Sequence, residues 1–384
     1  MWIRNRYLML PFRVRRAFAR SLLVLGILTT LFVAAAVVFS LCSRPIALLL
    51  QPTPESIRHS SQTTGIPNYL RDEVDTFYTF PEWYIVWSYQ SKADFQRDSL
   101  PSGYSYFGDI GQFWQAYSRM YAATRRVYPF AMGDHVMLVV IGSSFSIEYA
   151  LKGAYERTVG HLSEWTSGYQ KVPEDEYAAK VAADYAAFVH IRPFYEFSFA
   201  KALRGLWSET PFRTTHLLRT VERRFWLSLD YAVESFYCEL IELATHATYG
   251  YEDVSTAAWI KFPDGTKAQL IASTKFVKLA KDLGPAEAII EIPRYQEFTT
   301  DASMLLERGV RFSQISGNKL IVISAIAPNG TMTPEGDVQV LLKQPIFTSQ
   351  SKTRVVLLAR VSDLNEILAS LKQRGVTVEH LYDY

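Results

Sequence analysis

Histidines and carboxylates that lie inside otherwise apolar segments are the residues of this chain best suited to carry chemistry. One group surrounds a chain turn between His190 and Glu196, and another ends a predicted helix at His246. A histidine beside a carboxylate can be tuned to exchange a proton near neutral pH. Together with Glu234, these residues form one set of candidate catalytic residues. Hydrogen bonds that cap helix ends would explain the same residues without catalysis.

Three sets of ionisable residues are spaced four apart, which places each set on one face of a helix. They are Glu148 with Lys152 and Glu156, Asp230 with Glu234, and Glu242 with His246. A carboxylate four residues from a histidine can share a proton or a metal ion with it. A di-iron bundle requires Glu-x-x-His on two helices, however, and no glutamate precedes a histidine at that spacing. We therefore interpret the sets as surface or partly buried ion pairs, and we expect no metal and no cofactor.

Motifs for the common catalytic and cofactor sites are absent from the sequence. There is no Gly-x-Ser-x-Gly elbow, no phosphate-binding Gly-x-x-x-x-Gly-Lys-Ser/Thr loop, no His-Glu-x-x-His and no Gly-x-Gly-x-x-Gly. The two cysteines, Cys42 and Cys238, lack metal-ligand spacing, and we expect no disulfide between them. The sequence alone does not decide whether the protein is an enzyme.

An uncharged apolar segment at residues 22–41 determines where the chain is located. A helix of about 20 residues rises roughly 30 Å, enough to cross the hydrocarbon core of a bilayer. Six arginines and no acidic residue precede the segment. This bias predicts a single-pass signal-anchor with a cytoplasmic N-terminus and extracytoplasmic main domains, in a bacterium at the inner membrane. A cleaved signal peptide is the alternative, although its apolar region usually spans only about 7 to 15 residues.

The overall composition narrows the class of partner. Lys and Arg number 40 against 38 Asp and Glu, and most of the basic excess lies in the N-terminal tail. This balance predicts no nucleic-acid partner, which would need a basic face on the folded domain. The bilayer is the expected partner, together with a protein partner or a second copy of the chain. The aromatic content of 14% fits an aromatic core, a surface on lipid headgroups or a binding groove, and a core is the default.

Residues 71–250 are predicted to form an aromatic-rich helical domain. Six aromatic residues lie between Phe77 and Trp87, where Pro81 suits the first turn of a helix, and Asp109 can cap the next helix. Residues 136–151 are too short an apolar run for a confident second span, and they fit a buried helix or a segment that dips into the bilayer.

The clearest helical periodicity lies at 216–249. Its apolar positions form one stripe, and we interpret the region as one helix of a bundle. The stripe consists of Leu218, Val221, Phe225, Leu229, Val233, Phe236, Leu240 and Leu243.

Residues 257–384 are predicted to form an α+β domain with a ferredoxin-like fold. A turn at Pro263, Asp264 and Gly265 suggests two short strands at 259–262 and 268–272, followed by a helix at 276–283. The motif Leu-x-x-Arg-Gly-Val ends a helix and begins a strand at both 305–310 and 371–376. This match suggests two strand-helix-strand units on one sheet, in a ferredoxin-like or duplicated α+β domain with helices on one face, although many unrelated helices end in the same way.

These features predict a plan of basic cytoplasmic tail (1–20), transmembrane anchor (21–50), linker (51–70), helical domain (71–250) and α+β domain (257–384). The first functional hypothesis is a membrane-anchored, non-enzymatic scaffold, accessory or interaction protein. The alternative is a membrane-bound enzyme or lipid-handling protein with a histidine and carboxylate site in the helical domain. The second hypothesis requires the candidate side chains to converge on one concave pocket.

Overall fold

A computed structural model describes residues 65–66, 69–71, 73–211, 215–248, 255–274, 277–330 and 338–383. The predicted tail, anchor and most of the linker lie outside the described residues. Within them the protein combines an aromatic-rich helical region with two small antiparallel sheets. The predicted division into domains at 71–250 and 257–384 stays a prediction.

Seven helices of the described residues precede the first strand. They are α1 (Glu73–Asp98), α2 (Tyr106–Thr124), α3 (Met132–Tyr155), α4 (His161–Thr166), α5 (Pro173–Val189), α6 (Phe199–Glu209) and α7 (Leu217–Thr248). A π-helical turn, Glu156–Gly160, joins α3 to α4 without interrupting the helical path.

The aromatic block of α1 is buried, as the core interpretation predicts, but the proposed helix start at Pro81 is wrong. The helix begins at Glu73, and Pro81 lies inside it. A proline there leaves the carbonyl of Phe77 without its helical donor, at a cost of about 3 kcal/mol. Phe80 and Trp83 are buried against neighbouring elements, and this packing offsets the local cost.

The helices α3 and α7 lie side by side and run antiparallel. Ser144 contacts Tyr237 at one end of the pair, and the ring of Tyr155 stacks 3.6 Å from the ring of Trp226 nearer the other end. Met132–Thr166, which contains α3, is the one helical segment of the described residues that is long and apolar enough to cross a membrane. Only 33% of its most apolar part is buried.

The predicted apolar stripe of α7 is present, but it faces outward instead of into the bundle. Neighbouring α3 also exposes apolar side chains, and we call the two sets together the α3–α7 apolar surface. Its large side chains are Val136, Met137, Val140, Ile147 and Leu151 of α3, with Leu217, Leu218, Val221, Phe225, Leu229, Val233, Phe236 and Leu240 of α7. The reason is that the charged side of α7 is occupied by buried ion pairs with other helices, which turns the opposite side outward.

The first sheet follows the chain as β1 (Ser255–Lys261), α8 (Lys267–Ser273), β2 (Lys278–Asp282), β3 (Glu287–Pro293), α9 (Tyr295–Glu307) and β4 (Arg311–Ile315), with strand order β2-β3-β1-β4. The predicted strand at 268–272 is wrong, because this stretch belongs to α8. The predicted helix at 276–283 is also wrong, because it contains β2. Periodicity does not distinguish a helix from a strand in so short an apolar run. Here backbone pairing with β3 determines that β2 is a strand.

The second sheet repeats the strand order of the first, so the two repeat units lie on separate sheets and the prediction of one shared sheet is wrong. The elements of the second sheet are β5 (Leu320–Pro328), β6 (Gln339–Pro345), β7 (Lys352–Arg360), α10 (Leu364–Gln373) and β8 (Thr377–Leu381), in the order β6-β7-β5-β8. The Leu-x-x-Arg-Gly-Val motifs occupy equivalent places, at the ends of α9 and α10. Val310 N donates to Leu305 O at 3.0 Å, and Val376 N donates to Leu371 O at 2.9 Å. Gly309 and Gly375 both have positive φ, as this type of helix end requires.

The second sheet packs against the helical region through one of its faces. Val322, Val356 and Tyr382 share a buried cluster with Phe80 and Trp83 of α1. The other face of the sheet contributes, with the first sheet, to a separate apolar core. The α1 helix therefore joins the two regions that the sequence predicts as separate domains through an apolar cluster. The α2 helix joins them as well, because Gln112 donates to Pro345 O at 2.7 Å and accepts from Gln344 at 3.0 Å.

Candidate functional site

A lysine surrounded by carboxylates lies between α3 and α7. Lys152 Nζ is 2.9 Å from Glu148 Oε1, 2.9 Å from Glu234 Oε1 and 3.2 Å from Asp230 Oδ1. The pairing of Glu148 with Lys152 follows from their spacing on one helix face, while Asp230 and Glu234 come from one face of the neighbouring helix. The interpretation as ion pairs is confirmed for Glu148 with Lys152 and for Asp230 and Glu234, which both pair with Lys152, and these pairs are largely buried. The pairing of Glu242 with His246 stays a prediction.

Residues of α1 complete this lysine-centred cluster. Tyr89 donates a hydrogen bond from its hydroxyl to Glu148 Oε2 at 2.9 Å. Lys92 Nζ lies 5.4 Å from the centroid of the Tyr89 ring, on the same side of the cluster. Burial lowers the pKa of Lys92, and the positive charge of Lys152 lowers it further. Burial raises the pKa of Glu234, and Lys152 partly offsets that increase.

A second buried cluster is built on three arginines of α7. Arg219 lies 2.8 Å from Asp175 and 3.1 Å from Glu222, measured between guanidinium nitrogens and carboxylate oxygens. The neighbouring ion pairs are Arg223 with Glu156 at 2.8 Å, Arg223 with Asp175 at 2.9 Å and Arg224 with Glu174 at 2.7 Å. Charged groups this deeply buried are tolerated only when they are paired.

The acidic residues in the first turn of α5 belong to this arginine cluster, and the sequence alone did not indicate that they are buried. Pro173 begins the helix, and the next two residues, Glu174 and Asp175, are buried ion-pair partners of arginines. No local signal identifies Arg219 as buried, because charged residues opposite an apolar stripe normally face water. The sequence signal for a buried cluster was the presence of acidic residues on α3 and α5 that could neutralise the arginines of α7.

A cavity of about 60 Å³ lies between the two clusters, lined by side chains that include Lys92, Glu148, Lys152, Glu156 and Arg223. This volume holds a few water molecules, whereas pockets for small-molecule ligands are roughly 300–1,000 Å³. The lining is charged, and most of its ionic groups already contact an opposite charge. The cavity can therefore hold water and maintain the ion pairs, but it is too small for a substrate.

The structure does not bring the four candidate catalytic residues together in one arrangement of contacts. His190 Nδ1 lies 2.6 Å from Ala186 O at the end of α5. Glu196 pairs with Arg192 at 3.4 Å near the surface, and Glu234 belongs to the lysine-centred cluster. The side chain of His246 lies outside the described residues. His190 and Glu196 thus have local partners of the kind expected for a helix end and a surface turn.

Asp109, predicted as a helix cap, is instead a buried acceptor in the first turn of α2. Tyr84 donates to its Oδ1 at 2.9 Å, and Tyr104 donates to its Oδ2 at 2.5 Å. Burial raises the pKa of Asp109 to about 6, although both tyrosine hydrogen bonds act in the opposite direction. This carboxyl group therefore joins α1 to α2 inside the protein.

His380 of β8 is a buried histidine that no sequence pattern singled out. Its ring centroid lies 3.8 Å from that of Trp83, and Nδ1 is 3.1 Å from Thr299 Oγ1. Within the part of the chain that the structure describes, Nε2 of His380 has no hydrogen-bond partner. Burial lowers the pKa of His380 to about 3, and the proximity of His190 contributes in the same direction.

Replacement of His380 by glutamine is expected to change the pH dependence of stability. The unfolded chain protonates this histidine below about pH 6.5 and the folded chain does not, so the wild type loses stability as the pH falls through this range. Between about pH 8 and pH 5 the wild type should lose about 2 kcal/mol more than His380→Gln. Urea unfolding of both proteins at both pH values measures the difference. The titration of groups that the two proteins share, such as Asp109, cancels in this comparison. Parallel stability curves for the two proteins would contradict the assignment.

No group of three or more His, Cys, Asp or Glu side chains within the described ranges is arranged to hold a metal ion. We found no protein-family model, curated protein or solved structure that matches the chain. Fold and site therefore define only a class: a mixed protein with an aromatic-rich helical region, two small antiparallel sheets and a buried ionic core.

Proposed function

We propose that this protein is a single-pass, membrane-anchored interaction protein, a scaffold or accessory subunit and not an enzyme. Residues 22–41 would be its anchor, with the N-terminus in the cytoplasm and the main domains outside it, in a bacterial inner membrane. The observation that carries the proposal is the α3–α7 apolar surface, because so large an exposed apolar area usually marks an interaction site.

The free energy gained by covering the α3–α7 apolar surface supports this proposal. Each large side chain of the α3–α7 apolar surface is about half exposed, and covering it would contribute about 1 kcal/mol. Covering the surface as a whole would then contribute on the order of 10 kcal/mol. A gain of that size favours a permanent covering over an isolated exposed surface.

The alternative, a membrane-bound enzyme or lipid-handling protein, has less support. Its candidate residues have separate partners, as His190 and Glu196 illustrate. The cavity beside Glu234 is about 60 Å³, far below the size of a substrate pocket. Buried, neutralised ion pairs stabilise a fold, and they do not offer a free acid or base.

The α+β region would supply a second interaction surface. We propose that the first sheet with its two helices is a ferredoxin-like unit, because its elements follow the βαββαβ pattern. The second sheet would be a related unit, because it repeats the strand order, with one helix, α10, among the described residues. Such sheets often dock partners or a second copy of the chain, which is an argument from fold analogy. The outer strand β2 leaves one edge open within the described residues, and Lys278 and Lys281 on it limit indiscriminate pairing.

Cysteine accessibility in native membranes tests whether the α3–α7 apolar surface is covered. In a Cys42→Ser background, where the remaining native Cys238 is buried, Phe225→Cys and Val233→Cys are compared with Asp184→Cys and Lys201→Cys. Membrane fragments open on both sides are treated with a charged maleimide. We expect rapid labelling at Asp184→Cys and Lys201→Cys, whose side chains are exposed and polar.

The two α7 variants should be labelled only after detergent and denaturant are added. Equal labelling rates at all four positions in untreated membranes would show that nothing covers the surface, which would contradict the proposed function. Tryptophan fluorescence of each purified variant confirms that the substitution has not unfolded the protein.

A further inference from the structure

We infer that the lipid bilayer itself covers the α3–α7 apolar surface, with α3 and α7 lying flat in the interface of one leaflet. This inference rests on the proposed function, since it names the partner of the same surface. It also gives residues 136–151 a role as a segment that enters the membrane without crossing it.

The polarity of α3 and α7 is reversed relative to helices of a water-soluble bundle. Between residues 133 and 154 of α3, and between residues 217 and 238 of α7, every exposed residue is nonpolar. The charged residues within these two ranges are buried or half-buried, and Lys152 contacts Asp230 and Glu234 there. Exposed Glu239 lies just beyond the nonpolar range of α7. Apolar residues outside and satisfied polar residues inside are the arrangement that hydrocarbon favours.

The surface has the dimensions and the border of an interfacial site. Each nonpolar segment rises about 32 Å, and two adjacent helices present a width of about 20 Å. Exposed Arg157 and His161 lie beyond one end of the nonpolar part of α3, and exposed Trp165 follows them. Basic and tryptophan side chains at such a border suit the headgroup layer. Lys201 and Arg204 of the adjacent α6 are exposed as well and extend the basic border.

The charges on neighbouring helices exclude a spanning orientation. The helix α6 packs beside α7 and presents Lys201, Arg204 and Glu209 to the exterior, while α5 presents Lys180 and Asp184. If α3 and α7 crossed the bilayer, these charged side chains, including the ion pair of Lys180 with Glu209, would be carried into hydrocarbon, which is costly. When both helices lie flat, only the apolar surface enters the membrane, and α5 and α6 keep their charged sides in water.

The N-terminal part of the chain favours lipid over other occupants. The predicted span at 22–41 is tethered to the folded region by a polar linker, and about 20 such residues reach about 25 Å on average. The α3–α7 apolar surface is therefore always within reach of the bilayer. The anchor cannot itself cover the surface, because one helix about 10 Å wide leaves half of a two-helix surface exposed.

Fluorescence quenching in vesicles tests the inference on the full-length chain. In the Cys42→Ser background, an environment-sensitive fluorophore is attached to Leu218→Cys, Leu229→Cys or Leu240→Cys, and to Asp184→Cys as the exposed control. Each protein is reconstituted into vesicles of phosphatidylethanolamine and phosphatidylglycerol. Quenching by nitroxide groups at a shallow or a deep acyl-chain position is then compared with quenching by aqueous iodide.

We expect the three α7 probes to show blue-shifted emission, protection from iodide and loss of intensity with shallow nitroxides, to the same extent at all three positions. The control at Asp184 should be quenched by iodide alone. Deep quenching confined to the Leu229 probe would overturn the flat orientation in favour of a span.

Protection from iodide without nitroxide quenching would mean that protein covers the surface, either a partner, a second copy or another segment of the chain. That result overturns the bilayer as occupant but leaves the proposed function intact. Iodide quenching of the α7 probes as strong as that of the control would overturn both. A second set of probes at Val140→Cys and Ile147→Cys of α3 repeats the test if any α7 variant fails to fold.

Discussion

Arg219→Met is expected to lower the free energy of unfolding by about 3–5 kcal/mol. The guanidinium of Arg219 is fully buried, and it contacts Asp175 at 2.8 Å, Glu222 at 3.1 Å and Glu164 at 3.5 Å. Removing the cation leaves carboxylates of three helices close together without their shared counter-charge. Urea unfolding of the full chain in detergent, followed by tryptophan fluorescence, measures the loss.

A surface ion pair provides the matched control for this prediction. Lys180 lies 3.4 Å from Glu209, and both side chains are more than half exposed. Lys180→Met should therefore change the free energy of unfolding by less than about 1 kcal/mol. Adding Glu222→Gln to Arg219→Met should restore part of the lost stability, because one of the uncompensated charges is removed. Similar losses from Arg219→Met and Lys180→Met would mean that the buried cluster is not an electrostatic support of the fold.

Much of the C-terminal region was predictable because its elements depend on local signals. The motifs at 305–310 and 371–376 end α9 and α10 and lead into β4 and β8, as predicted. Turn glycines and alternating apolar residues specify such elements within a short stretch of chain. The region of β2 was mispredicted because its residues are mostly exposed and show no strand pattern of their own. It is a strand because its backbone pairs with β3.

The helical region was predictable in its helix positions but not in the direction of its faces. The stripe from Leu218 to Leu240 has helical spacing whether it meets a protein core or a membrane. The charged positions of α7 decide between these environments only when their partners on α3 and α5 are known. Sequence spacing reveals the pair of Glu148 and Lys152, which share a helix, but not the pair of Arg219 and Asp175, which are distant in the chain.

The candidate site shows the same division between local and distant information. Glu234 was chosen because it lies four residues from Asp230, and the structure places both beside Lys152. His190 was chosen because its neighbours in sequence are polar, and its close partner is a backbone carbonyl of its own helix. His380 lies in a strand with no unusual pattern, and its burial depends on α1, nearly 300 residues earlier in the chain.

Trp83→Ala is expected to cost about 3–5 kcal/mol of unfolding free energy. The Trp83 side chain is 5% exposed and fills the space between α1 and the second sheet, where its ring centroid lies 3.8 Å from that of His380 and 6.0 Å from that of Trp87. Truncation to alanine leaves a cavity at the contact between the helical and α+β regions. The exposed Trp165, at 65% exposure, is the control, and Trp165→Ala measured in detergent should change stability by no more than about 0.5 kcal/mol.

The same variant tests whether the two regions unfold together. In the wild type the shared core around Trp83 should produce one transition, seen at the same urea concentration by far-ultraviolet circular dichroism and by tryptophan fluorescence. In Trp83→Ala the two signals should separate, because the helical region and the sheets lose their largest common side chain. Trp83→Phe keeps an aromatic ring against His380 and should retain one transition. Separate transitions already present in the wild type would instead favour the predicted domains at 71–250 and 257–384 as independent folding units.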